Sequence, residues 1–119
     1  MNVLLVDDEA ELVSAMAERL SFRGIEADWA DSGRKALEMA RDKAYDVAVL
    51  DVKMPGIGGF ALQEELKALH PGMCFVFLSG HGSEDDFIKG SAKASSYLVK
   101  PVDIDELVRQ IKAAMGVAA

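Results

Sequence analysis

The sequence predicts a single α/β domain, in which a five-stranded parallel sheet is covered by five helices in a doubly wound arrangement. Four short apolar runs, at residues 3–6, 47–50, 75–78 and 97–99, each lead into a charged or hydroxyl residue. Continuous apolar runs of this length are typical of strands that are buried on both faces of a sheet. Segments with helical spacing separate the strands, and such strict alternation favours parallel pairing with right-handed crossovers.

The N-terminal half of the chain accounts for three strands and two helices. After the first strand, apolar residues within 12–20 recur at a period near 3.6, and Gly24 can end that helix. Apolar and charged residues alternate over 25–29, which predicts a half-exposed edge strand. Ser32 can then cap a second helix that leads to the third strand.

The C-terminal half predicts three more helices between and after the remaining strands. Apolar residues within 60–69 predict the third helix, which the His-Pro-Gly sequence at 70–72 closes. The segments 83–86 and 103–106 each resemble a capping box and predict the starts of the fourth and fifth helices. The fifth helix runs to Gly116.

Composition limits the classes of function that this chain can serve. A length of 119 residues suits one domain, so we expect residues 1–119 to form a single unit. The net charge of −7 argues against direct nucleic-acid binding by this domain. We find no signal peptide, and no apolar run approaches the roughly 20 residues of a membrane span. The single cysteine, Cys74, cannot form an internal disulfide, so we expect a cytoplasmic protein.

Polar side chains at the ends of the predicted strands should meet in one crevice. Asp7 and Asp8 follow the first strand, Asp51 the third, Ser79 the fourth and Lys100 the fifth. Ligands of open α/β sheets bind at the carboxyl ends of the strands. Three carboxylates in one place need a cation, and Mg²⁺ prefers such oxygen ligands. The pattern therefore indicates a site for a divalent cation and a phosphoryl group.

The paired acids leave two interpretations open. Asp8 and Glu9 could simply start the first helix, where acidic residues favour the helix dipole. That interpretation leaves Asp7 and Asp51 unexplained. If the pair binds metal, neighbouring strand residues point to opposite faces, so one acts as a direct ligand and the other through water unless the strand has already turned.

The remaining polar groups suit phosphoryl transfer. Asp51 can act as a nucleophile that forms an acyl phosphate, and Lys100 and Ser79 can neutralise the phosphoryl oxygens. Taken alone, Ser79 would be an ordinary turn residue and Lys100 an ordinary surface lysine. The bond between Lys100 and Pro101 could be cis, which would turn Lys100 inward, or trans before the last helix.

With these residues assembled, the chain resembles a receiver domain of the two-component response regulators over essentially its whole length. The resemblance rests on residues 6–9, 50–56 with Gly59, 78–82 and 97–101. It implies the flavodoxin-like strand order 2-1-3-4-5. It also implies Mg²⁺ as the cofactor, and a sensor histidine kinase or histidine phosphotransfer protein as the partner that supplies the phosphoryl group.

The resemblance implies a role for each residue of the metal and phosphorylation site. Asp51 would be the phosphoacceptor, and the domain would assist its own phosphorylation and dephosphorylation. Asp8 would bind the magnesium ion directly, with Asp7 acting largely through water. The main-chain carbonyl of Lys53 would complete the protein ligands, and Lys100 would contact the phosphoryl group.

The resemblance also implies a switch. Phosphorylation adds about −1.5 to −2 of charge at Asp51. The Ser79 hydroxyl would move towards the phosphoryl group, and Tyr97 would turn inward into the space that Ser79 leaves. The face formed by the fourth helix, the fifth strand and the fifth helix would then signal to an output domain or a target protein, or support a dimer. Tyr97 could instead be an edge-strand aromatic held in one rotamer.

Departures from the family pattern concern the switch more than the phosphorylation site. Gly90 interrupts the fourth helix, and Lys93 stands where a cap glycine is common, so we expect this helix to be the most mobile. Lys53 and His81 each lie two positions past a site residue. Either side chain could screen the acyl phosphate from water or simply face solvent.

Two other functions use similar residues. A phosphatase of the haloacid-dehalogenase type would carry a second aspartate two residues after its nucleophile, where this chain has Lys53. A phosphorylation-independent interaction module would have lost the acidic pair or the lysine, and this chain keeps them. Whether the chain acts alone or belongs to a longer regulator stays open.

Overall fold

Five strands and four helices make up the described part of the computed structural model, which covers residues 1–80 and 96–116. The strands are β1 (Asn2–Val6), β2 (Glu26–Ala30), β3 (Val47–Asp51), β4 (Cys74–Ser79) and β5 (Ser96–Val99). The helices are α1 (Ala10–Ser21), α2 (Gly33–Asp42), α3 (Gly59–Leu69) and the C-terminal helix (Ile104–Ala114). The predicted fourth helix, with Gly90 and Lys93, lies outside the described residues.

The five strands form one parallel sheet in the order β2-β1-β3-β4-β5, which confirms the predicted α/β flavodoxin-like fold. Its register aligns the ends of the central strands. Val6 of β1 lies opposite Leu50 of β3, so Asp7 follows β1 at the level of Asp51. Asp51 in turn lies opposite Leu78, one residue before Ser79. The polar residues at the strand ends therefore share one edge of the sheet.

Two apolar clusters fill the two sides of the sheet because successive side chains of a strand point to opposite faces. Leu4 and Val6 of β1 pack with side chains of α2 and α3. Val3 and Leu5 pack with side chains of α1 and the C-terminal helix. The sheet is thus covered on both faces, as the continuous apolar runs predict. Among the described helices, none combines the length and apolar character needed to cross a bilayer.

Local signals set the ends of the helices, as the sequence predicts. The Ser32 hydroxyl accepts a hydrogen bond from the main-chain N–H of Lys35 at 3.2 Å, which caps α2. Asp103 accepts one from the N–H of Glu106 at 3.3 Å and caps the C-terminal helix. Gly24 follows α1 with a φ of 77°, a left-handed conformation that glycine adopts without steric cost.

Gly59 lets α3 begin directly against the end of β3. Its N–H donates to the carbonyl of Val52 at 2.9 Å. A Cβ atom at this position would lie 2.4 Å from the main-chain oxygen of Asp51, which is closer than real Cβ contacts allow. The obstacle is backbone, so the start of α3 or the end of β3 would have to shift.

We therefore expect Gly59→Ala to lower the free energy of unfolding by about 2–4 kcal/mol, the range of a severe packing or strain defect. Urea denaturation measures the change. Gly72→Ala is the matched control, because no described atom beyond its two chain neighbours lies within 4 Å of a Cβ built at Gly72. Equal stability of the two variants would show that α3 is free to shift.

Candidate functional site

A crevice of about 340 Å³ opens at the carboxyl edge of the sheet. Its described lining consists of Asp8, Glu9, Asp51, Lys53, Gly80 and Lys100. These residues lie at or within three residues after the ends of β1, β3, β4 and β5, which are far apart in the chain and adjacent in the sheet. The position agrees with the rule that open α/β sheets bind ligands at the ends of their strands.

Three carboxylates meet at this crevice. Among the described residues, Asp7, Asp8 and Asp51 form a group in which one oxygen of each lies within 4.8 Å of the others. Asp7 and Asp51 are only 1% and 5% exposed, whereas Asp8 is exposed. Oxygen atoms gathered in this way suit a hard divalent cation. The residue types and spacing of the group therefore fit the metal that the sequence analysis expects.

Lys100 brings the compensating positive charge into the group. Its Nζ lies 2.6 Å from Oδ2 of Asp7 and 3.5 Å from Oδ2 of Asp51, with its side chain 15% exposed. Burial alone would lower the pKa of Lys100. The hydrogen bond to Asp7 and the charge of Asp51 outweigh burial and raise it. The peptide bond between Lys100 and Pro101 is cis, one of the two geometries that the sequence left open.

Asp7 and Asp8 differ in what surrounds them. Oδ1 of Asp7 accepts a hydrogen bond from the main-chain N–H of Glu9 at 2.9 Å, and Oδ2 faces Lys100. Protein groups thus engage both oxygens of Asp7. The carboxylate of Asp8 is exposed on the crevice side. The two neighbouring acids, which both follow the end of β1, therefore stand in unequal environments.

Glu9 is a feature of the site that the sequence analysis missed. Its Oε1 lies 3.7 Å from Nζ of Lys100, although the sequence suggested only a role in starting α1 and a place in the family pattern at residues 6–9. The available signal was its place next to Asp8, at the residue preceding α1. A local pattern could not predict that the last strand brings Lys100 to the same spot.

The environment of Asp51 changes its acidity. Burial, reinforced by the negative charge of Asp7 and opposed by Lys100, raises the pKa of Asp51 from 3.8 to about 6. Asp8 adds a smaller contribution in the same direction as Asp7. At neutral pH the carboxylate is still largely ionised. It is therefore a carboxylate whose charged form is disfavoured by its surroundings.

Asp51→Asn should therefore stabilise the metal-free protein at pH 7. The pKa of Asp51 is higher in the folded chain than its ordinary value of 3.8, so this group favours folding most at low pH. That contribution is lost as the pH rises through about 6. The variant should gain about 2–3 kcal/mol at pH 7, and the gain should vanish below about pH 4.

Urea denaturation in EDTA at a series of pH values measures this gain. Asp31→Asn serves as the control, because Asp31 also follows a strand at this edge but is exposed. A stabilisation that does not change with pH would contradict the raised pKa as its cause. So would an Asp51→Asn variant that is less stable than the parent at pH 7.

The structure also places the predicted switch residues. Ser79 ends β4 and is buried at 2% exposure. Tyr97 packs against the apolar cluster that contains Phe77, and its hydroxyl is buried. Its ring thus lies inward in this conformation, the orientation that the resemblance associates with phosphorylation. Lys53 is exposed on the crevice lining, and His81 lies outside the described residues.

Comparison with known sequences identifies relatives of this chain. The family model described as the response regulator receiver domain matches residues 3–112. The transcriptional activator protein IrlR of Burkholderia pseudomallei is 34% identical over 94% of this chain and 49% of its own length. PrrA of Mycobacterium tuberculosis, a transcriptional regulatory protein, is 35% identical over 94% of the chain and 48% of its length. The chain thus spans about half the length of these curated relatives.

Solved structures show the same architecture. A CheY-like response regulator receiver domain protein from Methanospirillum hungatei has a TM-score of 0.88 and 28% identity, covering 97% of this chain and 93% of that one. The receiver domain of NtrX from Brucella abortus has a TM-score of 0.87 and 30% identity, covering 98% and 99%. TrrA from Thermotoga maritima, in complex with Mg²⁺-BeF, has a TM-score of 0.83 and 30% identity, covering 95% and 97%.

Proposed function

This chain belongs to the response regulator receiver domain family, and from that premise we propose that residues 1–119 form a signalling switch phosphorylated on Asp51. One observation carries the proposal. Asp51 is a buried carboxylate at the end of a central strand, 3.5 Å from Lys100 and grouped with two further carboxylates. A nucleophile, a cation site and an ammonium are thus present in one crevice.

The cation that suits this crevice is Mg²⁺. Asp8, Asp51 and the main-chain carbonyl of Lys53 would hold it directly, with Asp7 acting through water because protein groups engage both of its oxygens. The TrrA structure, whose fold and sequence are similar, contains Mg²⁺-BeF. When bound, Mg²⁺ supplies positive charge that offsets the carboxylates and the transferring phosphoryl group. Residues that fit the metal therefore surround the proposed nucleophile.

The chain's own groups account for the transfer step. An ionised oxygen of Asp51 forms the new bond to phosphorus, while the bond from phosphorus to the donor's leaving atom breaks. The electron pair of that bond stays with the leaving group. Lys100, already 3.5 Å from Asp51, donates to an oxygen of the phosphoryl group, and the hydroxyl of Ser79 donates to another. No proton has to leave Asp51 when its carboxylate is ionised.

The domain is regulatory in its family, and its assistance to its own phosphorylation and dephosphorylation is part of this proposal. We propose a sensor histidine kinase or a histidine phosphotransfer protein as the donor. Such a donor works where ATP is available, so we propose a cytoplasmic location. The downstream partner would be an output domain or a separate target protein, reached when Tyr97 and the surfaces of β5 and the C-terminal helix respond. A dimer formed on phosphorylation stays a prediction.

The alternatives account for fewer of these contacts. A haloacid-dehalogenase phosphatase needs a general acid two residues after its nucleophile, where Lys53 stands. Burying an aspartate and an ammonium costs free energy of folding. A module that does not use phosphorylation would gain no function from such a pair. We therefore retain the phosphorylation switch as the function.

The experiment that tests the proposal is phosphorylation by a small donor. The protein is incubated with acetyl phosphate and MgCl₂, and intact mass followed by peptide mapping locates the label. We expect one phosphoryl group, on Asp51, that forms only when Mg²⁺ is present. A label on another residue, or no label with a competent donor, would overturn the proposal.

A further inference from the structure

We propose that Glu9 is a positioning residue that restrains Lys100 at the mouth of the crevice and thereby slows phosphorylation of Asp51. The proposal concerns regulation of the site and rests on the function proposed above. It predicts that removing the contact between Glu9 and Lys100 speeds phosphorylation, whereas removing a nearby charge without that contact does not.

The observation is the set of carboxylates around Lys100. Its ammonium nitrogen lies 2.6 Å from Asp7, 3.5 Å from Asp51 and 3.7 Å from Glu9. Asp7 and Asp51 are buried, while the side chain of Glu9 is 66% exposed. Glu9 thus forms an ion pair with the ammonium from the solvent side, and it lines the same crevice as Asp51.

The fold places Glu9 there through its main chain. The N–H of Glu9 donates to Oδ1 of Asp7 at 2.9 Å, and its carbonyl accepts the N–H of Val13 at 3.0 Å in the first turn of α1. The main chain of Glu9 is therefore hydrogen-bonded both to Asp7 of the carboxylate group and to the first turn of α1. Its side chain starts from a fixed point beside Lys100, so the contact follows from the fold.

The contact matters because Lys100 has to serve the phosphoryl group. When the new bond to Asp51 forms, the ammonium donates to a phosphoryl oxygen, and the Glu9 carboxylate competes for the same protons. Glu9 also adds a negative charge at the entrance used by an anionic donor, which acts in the same direction. Exposed ion pairs are weak, so the expected effect on the rate is about two- to fivefold.

Three variants separate the contact from the charge. Glu9→Gln removes both, and Glu9→Asp keeps the charge while shortening the side chain by one methylene group. Glu11→Gln removes a charge of the same sign from the exposed first turn of α1, and Glu11 is not in the lining of the crevice. The initial rate of labelling by acetyl phosphate, at fixed Mg²⁺, is measured for each variant and the parent.

We expect Glu9→Gln and Glu9→Asp to label two to five times faster than the parent, with Glu11→Gln unchanged. If Glu9→Gln and Glu11→Gln are faster to the same extent while Glu9→Asp matches the parent, net charge is the cause and the proposal is wrong. Unchanged rates in both Glu9 variants overturn it as well. A parent that takes no label on Asp51 would instead refute the proposed function itself.

A second readout requires no phosphoryl transfer. Beryllium trifluoride with Mg²⁺ probes the bound state, and its affinity is measured from NMR shifts of each variant. The same two- to fivefold gain is expected for both Glu9 variants. Affinity for Mg²⁺ alone is measured alongside, and a tenfold loss in Glu9→Gln would make Glu9 a metal ligand, which overturns the positioning role.

Discussion

An Asp51→Asn variant will take up no phosphoryl group from acetyl phosphate under conditions in which the parent takes up one. An amide nitrogen or oxygen is a poor nucleophile, and the ionised oxygen that would bond to phosphorus is gone. The variant should stay folded, because it removes a buried charge without changing the size of the side chain. Intact mass measured over a time course gives the stoichiometry directly.

Asp31→Asn is the matched control for this experiment. Asp31 also follows a strand at the carboxyl edge of the sheet, after β2, but it is exposed and lies outside the carboxylate group. Its variant should label like the parent. Normal labelling of Asp51→Asn would place the phosphorylation site elsewhere and remove the basis of the proposed switch.

The second large effect concerns metal affinity. Asp8→Asn should weaken Mg²⁺ binding at least about tenfold, because even residues that only support metal ligands typically contribute ten- to hundredfold. Asp8 is the exposed member of the carboxylate group, and its oxygen is accessible from the crevice. NMR shifts during a magnesium titration measure the affinity.

The control for metal binding again uses Asp31→Asn, which changes the net charge equally at an exposed residue outside the group. Its affinity for Mg²⁺ should match that of the parent. An Asp8→Asn variant that binds Mg²⁺ as tightly as the parent would assign the ion to other ligands. The carboxylate group would then have a purely structural role beside Lys100.

The sequence predicted the sheet and the helix ends well because both depend on short-range rules. Strands buried on two faces have to be continuously apolar, so their ends mark where polar groups such as Asp51 begin. Ser32 and Asp103 cap their helices by bonding to groups three residues away. The meeting of the strand ends followed in turn from the general topology of such sheets.

Other features could not be predicted because they depend on distances between remote segments. To predict the approach of Glu9 to Lys100, one would have to know how α1 and β5 are placed relative to each other. The raised pKa of Asp51 follows from burial, which the run of apolar residues suggests but does not measure. Gly59 was recognised only as part of a family pattern, although its reason is the contact with the main-chain oxygen of Asp51.

The inward position of Tyr97 is a further example. Its side chain packs against a cluster assembled from several strands and helices, so an isolated tyrosine in the sequence carried no information about its rotamer. The sequence analysis left both a switch and a fixed aromatic open. Its role in switching remains a prediction.

The unequal burial of the three carboxylates has a consequence for how the domain would exchange its cation. Asp7 and Asp51 are enclosed, but Asp8 faces solvent on an open crevice. An ion held there can enter and leave without any opening of the fold, so exchange with bulk should be fast. The fraction of sites that hold a cation would then re-equilibrate rapidly whenever the free cation concentration changes. The cell's magnesium level, as well as the upstream donor, would set how readily this domain answers a signal.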